Sequence, residues 1–199
     1  MSIEKKLIDG LKNELKLSED KLEIVTFGYR LLIYSILGYS FIVLVALLFG
    51  TLGASLTAAI TASLFRIFSG GAHASTQKRC TIIGAVIFNL IGLTATICYN
   101  SISLYLINLL FWITAIVALI TFILYAPADT PGKPITTKVQ RDKLKKISIA
   151  LLVIWIVLSK FVFKGETNTY KLYLLSSTLG LAWQSVSLWP STYRWIIFK

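Results

Sequence analysis

Histidine is nearly absent from this chain: there is one, at position 73, with two cysteines, one methionine, four prolines and nine acidic residues among 199. These scarcities exclude several chemistries. One imidazole and two separated thiols do not make a zinc site, which needs three or four converging ligands, and neither a metal nor any other cofactor is expected. Cys80 and Cys98 are 18 residues apart. On one helix they share a face but stand about 27 Å apart along the axis, too far for an intrachain disulfide. Residues 1–27 are charged throughout and lack the short apolar core of a secretory signal. Internal repeats and low-complexity segments are missing too.

Charge itself is sparse, at 15% of residues against 56% hydrophobic, with mean hydropathy +0.75. It is missing altogether from Leu31–Phe49, Thr51–Phe65, Thr81–Ala128, Ile147–Ser159 and Leu172–Tyr193. A helical crossing takes about 20 apolar residues, and the third run is long enough for two, with a break at Tyr99-Asn100-Ser101. The pattern predicts an all-α polytopic integral membrane bundle of about six transmembrane helices. Long unbroken runs rather than short alternating segments argue against a barrel. The whole of 1–199 is read as one integral membrane domain, with a cytoplasmic amphipathic segment over 1–27 and the six-span bundle over 28–199.

The net charge of +11 is a topology signal rather than a nucleic-acid footprint. With the N-terminus inside, Lys5, Lys6, Lys12, Lys16, Lys21, Arg30, Arg66, Lys78, Arg79, Lys133, Lys138, Arg141, Lys143, Lys145, Lys146, Arg194 and Lys199 fall on the cytoplasmic side. Only Lys160, Lys164 and Lys171 fall outside. Seventeen against three follows the positive-inside rule and places both termini in the cytoplasm. No nucleic-acid partner is expected.

Along residues 2–17, Ile3, Leu7, Ile8, Leu11 and Leu15 form one apolar stripe among lysines, as in a helix lying along a bilayer surface or packed on the protein's own inner face. Ser18 before Glu19 and Asp20 marks a fresh helix start, with a capping hydroxyl and acids in the first turn. The second span carries Ala54, Ala58 and Ala62 at spacings of four, which lets neighbouring backbones approach and puts this helix at the centre of the bundle. Arg66 near its end either snorkels to the interface or serves a site. The stretch "PADTPGKP" is an irregular loop, and the basic run after it, Lys138–Lys146, returns to helix.

"SGGAHASTQKRC", residues 69–80, gathers the chemistry. Gly70-Gly71 interrupts the helical pattern. On one straight helix His73 and Cys80 would lie about 10.5 Å apart, whereas a base must come within about 3 Å of its nucleophile. The segment must therefore bend back if the two are to act together. Imidazole can take the thiol's proton, and Lys78 and Arg79 would favour the resulting anion. The alternative is that both are incidental interface residues.

Arg66, Gly70-Gly71-x-His73 and Cys80, with "YAPADTPGKPI" at Tyr125–Ile135, resemble the accessory gene regulator B family of bacterial membrane-embedded cysteine peptidases. The resemblance covers nearly the whole chain. It implies a bacterial cell-membrane enzyme that processes the precursor peptide of a quorum-sensing signal. Carried over, Cys80 attacks a precursor peptide bond with His73 as base, releasing the C-terminal tail. An internal cysteine or serine of the precursor then closes a thiolactone or lactone ring. Arg66, Gly70 and Gly71 match positions the family needs for activity. The family's precursors have an amphipathic leader and an acidic tail, which Lys78, Arg79, Arg141, Lys143, Lys145 and Lys146 would meet. The resemblance also implies a homodimer, with which the small-residue span is compatible. Asp129 and Gln77 are both candidates to orient His73. A small transporter or permease subunit is the alternative class; it would pair polar or charged groups across several spans, whereas here they concentrate at 66–80.

Overall fold

The computed structural model of the chain describes residues 18–72, 74, 76–128, 135, 137–162 and 167–192. The amphipathic stripe at 2–17 lies outside them, as does His73. Among the described residues six α-helices follow in order: α1 (Glu19–Leu48), α2 (Leu52–Ser69), α3 (Gln77–Cys98), α4 (Leu104–Tyr125), α5 (Lys138–Val157) and α6 (Asn168–Ser187). A π-helical turn, Leu158–Val162, prolongs α5. Among the described residues the one β-type pairing is an isolated parallel bridge between Gly70 and Ala128.

Helix boundaries follow local chemistry. Ser18 precedes α1 as expected, its carbonyl accepting from Leu22 N at 2.9 Å. Helices α3 to α6 each open on a hydroxyl: Thr76, Ser103, Thr137 and Thr167 accept from the backbone N–H three residues on, at 3.2, 3.3, 3.2 and 3.3 Å. Each cap satisfies an orphan donor and stabilises its helix by about 1 kcal/mol. The expected break at 99–101 is there, between α3 and α4.

The chain divides into two compact units, Met1–Leu37 and Gly38–Lys199. The described part of the first is the N-terminal portion of α1, where Ser35 Oγ donates to its own helix at Leu31 O. In the second, α2 is central. Ala54, Ala58 and Ala62 are all buried, and α2 packs most extensively against α6, then α3. The close approach is visible at two glycines. A Cβ at Gly180 of α6 would press on the backbone of Ala58, and one at Gly92 of α3 on the backbone and hydroxyl of Ser55. The expected role of the small-residue span is therefore met through contact with two helices at once.

Two apolar clusters sit at opposite ends of the bundle. Phe65, Ala118, Phe122, Leu152, Leu181 and Leu188 pack near the α2 C-terminus, with Phe65 and Phe122 rings stacked at 5.5 Å. Ala54, Ala95, Ile107, Phe111, Leu174 and Leu175 form the other, and Cys98 packs against it. Outward faces carry large apolar side chains, among them Leu44, Leu64, Ile97, Ile116 and Leu124. Water would not tolerate such a continuous surface, and lipid tails would. The protein is a helical membrane protein.

Four helices are long and apolar enough to cross a bilayer: Lys21–Leu48, Leu52–Ser69, Lys78–Cys98 and Leu104–Tyr125. The expectation of about six spans is not confirmed, since α5 and α6 do not reach that length and hydropathy. Helix α5 begins inside the basic run, leaving Ile147–Val157 as its apolar part, only about 16 Å at 1.5 Å per residue. Helix α6 fails for another reason. Ser176, Ser177, Thr178, Gln184, Ser185 and Ser187 are buried in it, so that face meets protein. Its hydroxyls are satisfied locally, Ser176, Thr178 and Ser185 each donating to the carbonyl four residues back.

Candidate active site

Helix α2 stops at Ser69 because Gly70 adopts φ 71°, ψ −151°, a conformation open essentially to glycine. Its N–H still donates to Arg66 O at 3.0 Å. Space forbids a side chain as well: a Cβ at Gly70 would strike Ala128 O, and its nitrogen at 3.1 Å. Gly71, φ 145°, would place a Cβ 2.8 Å from Ser187 Oγ. Both glycines are thus required by backbone angle and by close approach. The next helix starts only at Gln77. The sequence from Arg66 to Cys80 is therefore not one straight helix, as the glycine pair led one to expect.

Three parts of the chain hold this turn. Ala128 N donates to Ser69 O at 2.9 Å, which joins the Ala126-Pro127-Ala128 loop to the glycine pair; the Ala126–Pro127 bond is cis. Arg66 Nη2 donates to Ala72 O. The arginine thus closes over its own helix end, where a cation also suits the dipole, instead of snorkelling away. From α6, Gln184 Nε2 donates to Ser69 Oγ at 3.0 Å and to Gly70 O at 2.8 Å. Ser187 O accepts from Ala72 N at 2.9 Å. The two sequence motifs, Gly70-Gly71 and Ala126-Pro127-Ala128, meet here with an unforeseen third partner.

Cys80 lies half-buried in the first turn of α3, its N–H donating to Thr76 O at 3.1 Å. Neither it nor Cys98 is in a disulfide. Lys78 and Arg79 are exposed in that same turn, and no acid accompanies them. Cations at a helix N-terminus work against the dipole, so they do not serve the helix. Among the described residues no group of three or more His, Cys, Asp or Glu could hold a metal ion. Asp129 and the side chain of Gln77, the two candidates for orienting His73, lie outside the described residues.

The basic run of α5 is partly structural. Arg141 Nη1 donates to Pro127 O at 3.2 Å, and Lys145 Nζ to Ile123 O at 2.8 Å. Both tie α5 to the end of α4 and its loop, while Lys143 and Lys146 are exposed.

Comparison with known proteins decides the family. The model of AgrB, accessory gene regulator B, matches residues 4–188. The chain belongs to the AgrB family. Two proteins of Clostridium perfringens described as AgrB-like are similar to it. One, from strain SM101, is 28% identical over 94% of this chain and 90% of its own length; the other, from strain 13, is 27% identical over the same shares. An AgrB-like protein of Listeria innocua is 25% identical over 92% of this chain and 84% of its own. No solved structure matches. AgrB membership implies peptidase processing of an autoinducing-peptide precursor, and so an interaction with that precursor.

For an AgrB-family chain, the sequence motifs marked Arg66, Gly70 and Gly71 but not Gln184 or Ser187. A signal for Gln184 existed: an amide within an otherwise uncharged span is costly unless it is used.

Proposed function

We propose that this chain is a membrane cysteine endopeptidase that cuts the C-terminal tail from a quorum-sensing precursor and cyclises what remains. Cys80 is the nucleophile and His73 the base that takes its proton. The carbonyl carbon of the scissile bond accepts the thiolate, the tail leaves as an amine carrying that proton, and a thioester remains on Cys80. An internal thiol or hydroxyl of the precursor attacks the thioester, giving its proton back through His73 and freeing Cys80. Atoms and charge balance without a cofactor.

The observation that carries this reading is the placement of the turn leading to His73. It is braced by two helices and a loop and is followed within one short connection by Cys80 at a helix N-terminus. Arg66, Gly70 and Gly71 shape the turn; Lys78 and Arg79, with Lys143 and Lys146, offer charge to an acidic tail. A peptide carrying a thiol-reactive electrophile at the scissile position, followed by an acidic tail, should label Cys80 and not Cys98. Labelling should slow as salt rises, since screening acts over about 8 Å at physiological ionic strength. Equal labelling of both thiols would return the chain to the transporter class.

The bundle crosses the membrane six times, α5 and α6 included, with both termini and the site in the cytoplasm, and it works as a homodimer. Cysteines placed singly at Asn168 and Lys138 in a background lacking Cys80 and Cys98 test the topology. A membrane-impermeant maleimide should reach Asn168 from outside and not Lys138. The reverse pattern would turn the protein over.

A further inference from the structure

We propose that Gln184 is the positioning residue of the catalytic turn, an amide on α6 that sets where His73 stands relative to Cys80. The inference rests on the Cys80–His73 reading above.

The side chain of Gln184 is fully buried, yet it does not serve the packing of its own helix. Its Nε2 lies between two acceptors on another part of the chain, Ser69 Oγ at 3.0 Å and Gly70 O at 2.8 Å. Ser69 Oγ already uses its one proton on Phe65 O at 2.9 Å, so toward Gln184 it can only accept. A carbonyl can only accept as well. The site therefore requires a group with two N–H donors, which an uncharged side chain supplies only as an amide. On the opposite face Ser187 Oγ donates to the Gln184 backbone O at 2.7 Å and lies 3.2 Å from Gln184 Oε1. The two acceptors, Ser69 Oγ and Gly70 O, fix which end of the amide is nitrogen.

The segment so held is Ser69–Ala72, and the next residue is His73. Gln184 holds the Gly70 carbonyl, Ser187 O takes the Ala72 N–H and Arg66 takes the Ala72 carbonyl. The peptide units at 70 and 72 thus have their polar groups fixed by neighbours from α6 and α2. The glycines leave no side chain of their own to fix the path, so the direction in which the chain reaches position 73 depends on these bonds. A base displaced by about 1 Å can cost about 100-fold in rate.

The test uses the full-length protein in detergent micelles and needs no substrate. Carboxamidomethylation of Cys80 by iodoacetamide is followed in a Cys98→Ala background, since the thiolate is the reacting species. His73→Ala should slow it, and Gln184→Leu should slow it by roughly 10-fold or more. Gln184→Glu keeps the size but offers at most one proton to two acceptors, so it should be slowed as well. Ser176→Ala removes a buried hydroxyl that donates within α6 to Leu172 O, away from the turn, and should react like the parent. The pH–rate profiles of Gln184→Leu and His73→Ala should superimpose, and the double variant should be little slower than either alone. Cys98, followed in a Cys80→Ala background, should react at an unchanged rate in every variant. Parent-like rates in both Gln184 variants would overturn the inference while His73→Ala remains slow. So would losses that add fully to His73→Ala, or a Cys98 rate that rises with them. An unchanged rate in His73→Ala would instead remove the dyad, and this inference with it.

Discussion

Replacing Cys80 by alanine should abolish precursor cleavage, with a loss on the order of 10⁶-fold, as expected when a covalent nucleophile is removed. Removing the His73 imidazole should cost less, about 10²- to 10⁴-fold, the usual worth of a positioned base. The gap has a physical reason. Without His73 the nucleophile is still in place and can attack, though with no positioned base to take its proton. Without Cys80 no acyl-enzyme can form. Cys98→Ala is the control: that thiol packs against the cluster of Ala54, Ala95, Ile107 and Phe111 at the other end of the bundle. Losing one sulfur there should cost about 1 kcal/mol of stability and leave cleavage near parental. Cleavage is read as the tail released from a precursor co-expressed with each variant, with membrane levels of the protein matched. Persistent cleavage by Cys80→Ala would end the peptidase assignment.

A precursor whose internal cysteine or serine is changed to alanine should still be cut, and should then accumulate on Cys80. Hydrolysis ends when water attacks the thioester, whereas cyclisation hands the acyl group to a nucleophile within the same peptide. Tethering raises the effective concentration of that nucleophile, by up to about 10⁵ M or more in well-oriented cases, so it outcompetes water. With the nucleophile gone, only water remains and release slows. The adduct should be labile to hydroxylamine and should add the mass of the tail-less precursor, less one water, to the intact protein. Prompt release of a linear acid with no adduct would reveal a plain protease, and the cyclase half of the proposal would fall.

Much of the fold was legible because membrane helices announce themselves locally. Apolar run length located α1 to α4 directly, and the Tyr99-Asn100-Ser101 break and the Ser18 start followed from polar residues at helix ends. The buried Ala54-Ala58-Ala62 face was readable because only small residues allow two neighbouring backbones so close. Helices α5 and α6 were harder. Hydropathy records what a side chain would cost in lipid, and α6, shielded by α2, α3 and α4, does not meet lipid on most of its surface. Its serines and Gln184 therefore look too polar for lipid because they face the neighbouring helices.

The site divides in the same way. The sequence by itself marked the residues proposed to carry the chemistry, His73 and Cys80, through a motif that resembles that of the AgrB family. It also determined that the helix must break, since seven helical residues hold those two groups apart. What holds the break was decided only by tertiary structure. Gln184 and Ser69 are 115 residues apart, and Arg141 reaches a carbonyl 14 residues away. A backbone carbonyl carries no mark in the sequence to show which distant donor it will accept. A basic run therefore reads as a charged patch until packing turns two of its cations toward the chain itself.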